Sequence, residues 1–176
     1  MSKKVIVICL CIAITSAFFI LDWKKSLNPD YEKIANQITL DTGRIIGEKC
    51  GLYPIGLGGS MMDNIKKMNL SLRSPKPLTI DEGRTLIVLC IDTYLDQINK
   101  NEQVRPYLNH YPFEASNIEI NIFTDKIEKG ESTLNLLDAI SNNQGIIRYH
   151  AKETEYYTKV VLTETYEEAK RIVLGE

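Results

Sequence analysis

The spacing of hydrophobic positions changes several times along the chain, and each change marks a structural element. Asn28-Pro29 opens a segment in which Tyr31, Ile34, Ile38, Ile45 and Ile46 fall on one side of a 3.6-residue period. That spacing predicts a helix from about Asp30 to Lys49, stopped by Gly51 and weakened in its middle by Gly43 and Gly47. The glycine-rich stretch from Gly51 to Ser60, which also contains Pro54, reads as a flexible hinge. From Ile65 to Leu72 the period becomes two: Met68, Leu70 and Leu72 alternate with Lys67, Asn69, Ser71 and Arg73. Such alternation belongs to a half-buried strand, here ended by Ser74-Pro75-Lys76-Pro77.

The strongest pattern follows. Thr79-Ile80-Asp81-Glu82 is a capping box, in which hydroxyl and carboxylate satisfy free amides at a helix start. The helix should run to about Asn99 and bury Leu86, Ile87, Cys90, Ile91, Tyr94, Leu95 and Ile98, which makes it the centre of the core. Ile118, Ile120 and Ile122 alternate with polar residues as a second strand, while Leu134 to Ile140 fits a strand or a short helix equally. Gln144 to Ala151 and Tyr157 to Thr163 read as a hairpin joined through Lys152 to Glu155. Thr165 and Glu168 form another capping box, opening a last helix that should turn Ala169, Ile172 and Val173 inward. Strands gathered after the second helix favour an α+β fold: one small domain, residues 26–176, with an antiparallel or mixed sheet covered on one face by helices.

Residues 1–25 are of a different kind. Val5 to Leu21 holds no charge over 17 residues, between Lys3-Lys4 and Asp22-Trp23-Lys24-Lys25. As a helix such a run spans about 25 Å, against a bilayer core of about 30 Å, with lysines and a tryptophan placed to complete the span. An uncleaved single-pass transmembrane anchor through residues 5–21 is the favoured reading, with the body on the exported side. The alternative is a signal peptide cleaved after Thr15-Ser16-Ala17, which would leave a secreted chain beginning at Phe18. Cys9 and Cys11 are apolar filler in this segment, since Ile8 and Leu10 precede them where a lipoprotein site needs a small residue.

Composition narrows the function classes. The 176 residues carry a net charge of -2, and residues 1–25 hold four lysines and one aspartate, so the remainder stands at -5. That charge excludes a bulk basic footprint, so nucleic acid is not an expected partner. Four cysteines in 176 residues do not make a disulfide scaffold, although Cys50 and Cys90 could pair in an exported body. Several local runs carry a resemblance to a group of proteins: Gly58-Gly59-Ser60-Met61-Met62-Asp63, Arg105-Pro106-Tyr107-Leu108, Tyr111-Pro112-Phe113 and Glu164-Thr165-Tyr166-Glu167-Glu168-Ala169. Together with Leu78-Thr79, Arg84, Leu89-Cys90 and Tyr94-Leu95, these make the chain resemble short, uncharacterised bacterial membrane-anchored proteins. The resemblance implies kinship over most of the body and no particular chemistry.

Candidate chemistry is sparse. Gly56 to Ser60 lacks the Gly-Lys-Ser/Thr ending of a phosphate loop and precedes a strand instead of following one. No Cys or His residues stand at metal-ligand spacing, so no metal or cofactor is expected. A Cys–His nucleophile pair could be drawn from Cys50 or Cys90 with His110 or His150. Against it, Cys90 falls on an apolar helix face and Cys50 at a helix C-terminus whose dipole opposes a thiolate. Asp92 with Asp96, and Glu153 with Glu155, read as solvated pairs. The segment Glu102 to Glu114 fits neither helical nor strand period, yet sets Arg105, Tyr107, His110 and Tyr111 between Pro106 and Pro112. Arginine and tyrosine are favoured contact residues, so these four are the candidate binding residues. The expected function is a non-enzymatic, membrane-anchored binding or assembly module for a protein or envelope partner. The alternative is a hydrolase-like enzyme using a Cys/His or Asp/His pair.

Overall fold

The computed structural model describes residues 31–125, 136–153 and 157–176. The expected membrane anchor at 5–21, its flanking lysines and Trp23, Leu134 and Glu155 lie outside the described residues. Glu32–Glu176 forms a unit of its own.

Its elements run in chain order as α1 (Tyr31–Cys50), β1 (Tyr53–Ser60), β2 (Lys67–Ser74), α2 (Ile80–Lys100), β3 (Ile118–Thr124), β4 (Leu137–Asn143), β5 (Ile146–Lys152), β6 (Thr158–Thr165) and α3 (Tyr166–Leu174). The six strands form one sheet in sequential order. Every pair is antiparallel except β2 with β3, which lie parallel in the register Met68 with Ile118 through Ser74 with Thr124. A parallel neighbour demands a crossover, and α2 is that crossover. The fold is therefore α+β, with a mixed sheet and three helices.

Alternation along the strands sends one set of side chains into the core. Met68, Leu70, Leu72, Ile118, Ile120 and Ile122 are all buried. Against them lies the stripe Ile87, Cys90, Ile91, Tyr94 and Ile98 of α2, each fully buried. Leu86 and Leu95, expected in the core, are half-buried instead. They flank the stripe. At Gly83, in the first turn, a Cβ would stand 2.5 Å from the Ile140 Cδ1 methyl, so the helix comes close to the sheet there.

α1 is continuous through Gly43 and Gly47, contrary to the expected weakness. The reason is packing. A Cβ at Gly43 would lie 2.9 Å from the Pro54 ring, so the missing side chain lets α1 settle on β1. Gly51, at φ 68°, ends the helix as read. The predicted hinge from Gly51 to Ser60 is corrected outright, since Tyr53–Ser60 is an edge strand paired with β2. Its order comes from main-chain hydrogen bonds that need no side chain, so glycine content concealed it.

The ambiguous stretch before residue 140 is settled from Leu137 onward as strand β4. β4 and β5 turn on Gln144 and Gly145, with φ of 55° and 74°, the pair of positive values that a two-residue hairpin requires. α3 begins at the expected box, with Thr165 Oγ1 accepting from the Glu168 amide. Its inward set is smaller than expected: Tyr166 and Ala169 are buried, whereas Ile172 and Val173 stay 54% and 37% exposed. A nine-residue helix at the margin of the sheet has only one turn that reaches the core.

Cys50 and Cys90 carry free thiols. Among the described residues no helix is long and apolar enough to cross a membrane.

Ile91 is fully buried between the sheet and its neighbours, so Ile91→Ala should cost about 2–5 kcal/mol in urea unfolding through the cavity it leaves. A loss below ~1 kcal/mol would place α2 outside the core.

Candidate functional site

The segment after α2 is held from within. Asn101 Oδ1 accepts from the amides of Gln103 and Val104, turning the chain so that Val104 is buried. Arg105–Tyr107 then forms a single 3-10 turn. The Ile65 amide donates to the Tyr107 carbonyl at 2.8 Å, and the Asn109 amide donates to the Ile65 carbonyl at 2.9 Å. This short parallel bridge ties the loop to the chain entering β2. Further on, the Phe113 amide donates to Asn99 Oδ1 at 2.8 Å while Asn99 Nδ2 donates to the Phe113 carbonyl at 3.0 Å. One side-chain amide on the last turn of α2 thus closes a ring with the backbone of a buried phenylalanine.

These anchors decide what each candidate residue presents. Arg105 lies over the Tyr111 ring, 4.7 Å from its centroid, and both side chains are exposed. Arg105 Nη2 and Tyr111 Oη each stand 3.5 Å from the Asn99 carbonyl, at the outer limit of a hydrogen bond. His110 is apart from this stack, its Nε2 3.5 Å from Glu114 Oε1 at the surface. Tyr107 is half-buried, with its backbone committed to the Ile65 bridge. The structure therefore brings together Arg105 and Tyr111, sets His110 beside Glu114, and ties the Tyr107 backbone to Ile65. A guanidinium stacked on an aromatic face keeps its edge available to a carboxylate or phosphate, and the stack lowers the entropy cost of ordering it.

Two other polar clusters escaped the sequence. Arg84 Nε donates to Glu164 Oε1 at 2.8 Å, the Tyr149 hydroxyl donates to the same oxygen at 2.5 Å, and Arg84 Nη1 reaches Asp81 at 2.6 Å. Arg84 and Glu164 are 11% and 8% exposed, so this pair is a strut between α2 and β6. Burial, then Glu164, pushes the Tyr149 phenol up, so it stays protonated. In the second cluster Asp92 Oδ1 accepts from the Tyr166 hydroxyl and, at 2.9 Å, from Lys170. Burial, then the Asp92 hydrogen bond, pushes Tyr166 up to about 12, and the bond to Tyr166, then Asp92, raises Lys170. Neither group is poised to exchange a proton near neutral pH. Asp92, read from sequence as part of the wet edge of a helix with Asp96, instead joins α2 to α3. Asp96 pairs with Lys100 at 2.6 Å. Partners this distant in sequence leave no local pattern to find.

The nucleophile candidates meet the same difficulty. Burial pushes the Cys90 thiol well up, with Cys50 adding to it, and burial outweighs Lys49 in raising Cys50. His150 lies on β5, its Nε2 3.5 Å from Ser141 Oγ, and burial followed by Arg148 lowers its pKa. Among the described residues no cluster of three His, Cys, Asp or Glu side chains is arranged to hold a metal ion.

Comparison with known proteins finds no family model, no curated protein and no solved structure that matches this chain.

Proposed function

We propose that the chain is a membrane-anchored binding or assembly module, tethered through residues 5–21, whose contact surface for a protein or envelope partner is the loop carrying Arg105 and Tyr111. The observation that carries this reading is the Arg105–Tyr111 stack, exposed on a backbone pinned by Asn99 and Phe113. A contact pair held in advance loses little conformational freedom on binding. Tyrosine and arginine also supply large contact area and a planar donor fork. His110 and Tyr107 flank the stack and extend the same surface.

The hydrolase-like alternative draws no comparable support. Its cysteines hold their protons at neutral pH, and Asp92 is engaged by Tyr166 and Lys170 with no histidine among those partners.

Partner recovery from cross-linked membranes should be lost in Arg105→Ala and in Tyr111→Ala while thermal unfolding stays within about 1 kcal/mol of wild type, as for other surface substitutions. Unchanged recovery in both variants would refute the loop as a contact surface. The tether has its own test. Full-length protein should remain with membranes after alkaline carbonate washing, and a chain beginning at Ser26 should be soluble. Soluble protein with a mature N-terminus at Phe18 would replace anchoring by secretion.

A further inference from the structure

The sheet has a second face, turned away from the helices. Strand register arranges it in rows that cross the strands. One row joins Ser71, Asn121, Ser141, Arg148 and Thr163. All are hydrogen-bonding side chains, and none is apolar. The neighbouring row places Phe123, 43% exposed, beside Arg73 on one side and Ala139 on the other, with His150 beyond.

Charge on this face departs from that of the chain. Lys67, Arg73, Arg148 and Lys152 stand on it with Glu119, although the whole sequence is at -2. Lys67 is paired with Glu119 at 2.8 Å, and Arg73 lies 3.8 Å from Asp125. Asp138 sits in the β4 bulge. Arg148 is half-buried, and its side chain has no ion pair or hydrogen bond among the described residues. Withdrawing a guanidinium from water without a counter-anion is unfavourable, and a bound anion removes that cost.

We propose that this open face is a docking surface for an acidic glycan, laid across the strands with a carboxylate on Arg148 and its hydroxyls on Ser71, Asn121, Ser141 and Thr163. Three features favour a glycan over other anions. The row offers neutral hydroxyl and amide groups beside the cation, which match a polyhydroxylated chain. Phe123 supplies an exposed ring against which the C–H face of a sugar can lie. Arg148 stands within the same cross-strand row as Ser141 and Thr163, which suits a ligand lying along that row better than the plane of a membrane surface. The surface is separate from the Arg105 loop and does not depend on it.

The test uses the full-length chain in neutral detergent, with galacturonate hexamer as probe and maltohexaose, hexaglutamate and phosphatidylglycerol vesicles as comparisons. The two histidines of the chain, His110 and His150, report by NMR which surface is engaged. The galacturonate hexamer should bind saturably and shift His150 while leaving His110 in place. Binding should weaken roughly tenfold in Arg148→Gln, the loss of one charge-assisted contact, and about threefold in Asn121→Ala. Maltohexaose and hexaglutamate should each bind at least roughly tenfold more weakly, lacking the charge and the hydroxyls respectively. Thermal unfolding of Arg148→Gln should match wild type, since no partner among the described residues is lost, and Arg148→Lys should retain part of the affinity. No saturable binding, equal binding by Arg148→Gln, movement of His110 alone, or equal binding of hexaglutamate or vesicles would each overturn the proposal.

Discussion

The parallel pairing of β2 with β3 is the constraint on which the rest of the structure depends. Two parallel neighbours cannot be joined by a tight turn, so the chain must leave the sheet, cross one face and return. The returning element is α2, and each of its turns secures something else. Gly83 admits the sheet at Ile140, Arg84 reaches Glu164 on β6, Asp92 holds Tyr166 and Lys170 of α3, and Tyr94 bonds Thr39 of α1 at 2.6 Å. Asn99, on the last turn, closes the loop that carries Arg105. The magnitudes separate the roles. Burying a side chain such as Ile87, Ile91 or Ile98 contributes about 1.5–3 kcal/mol each, so the apolar stripe supplies the stability. The polar contacts add little net energy but forbid other placements, because breaking a buried pair leaves a charge uncompensated.

That division explains how much of the molecule is legible in its sequence. Elements whose signal is local read well: both capping boxes, the alternating strands, and the glycine at φ 68° that ends α1 all stand where expected. Elements ordered by partners do not. β1 is glycine-rich and unpatterned, and only its ladder to β2 makes it a strand. Leu86, Leu95, Ile172 and Val173 have the right period, but burial depends on where neighbours end, which no periodicity encodes. The candidate loop was legible as composition, not as geometry. Nothing in the sequence says that Arg105 stacks on Tyr111 and that His110 does not join them.

Both candidate surfaces lie outside the helix–sheet core and depend on it for rigidity. The Arg105 loop hangs from Asn99, so its shape is inherited from the C-terminal turn of α2. The second face belongs to the same strands whose other side chains form the core. These surfaces present aromatic rings, guanidinium groups, amides and hydroxyls. Cys90, Tyr149, Tyr166 and Lys170 are instead buried or bound to neighbouring side chains, which raises each of them away from neutral pH. Binding through fixed surfaces is the function we propose from the groups they present.

Native-state hydrogen exchange tests most directly whether α2 is the element on which the others hang. Amides from Ile87 to Ile98 should exchange only through global unfolding, with the same free energy as those of β2 and β3, while the exposed part of the loop around Arg105 exchanges faster. Exchange of α2 amides through a cheaper local opening, with β2 and β3 still protected, would contradict the account.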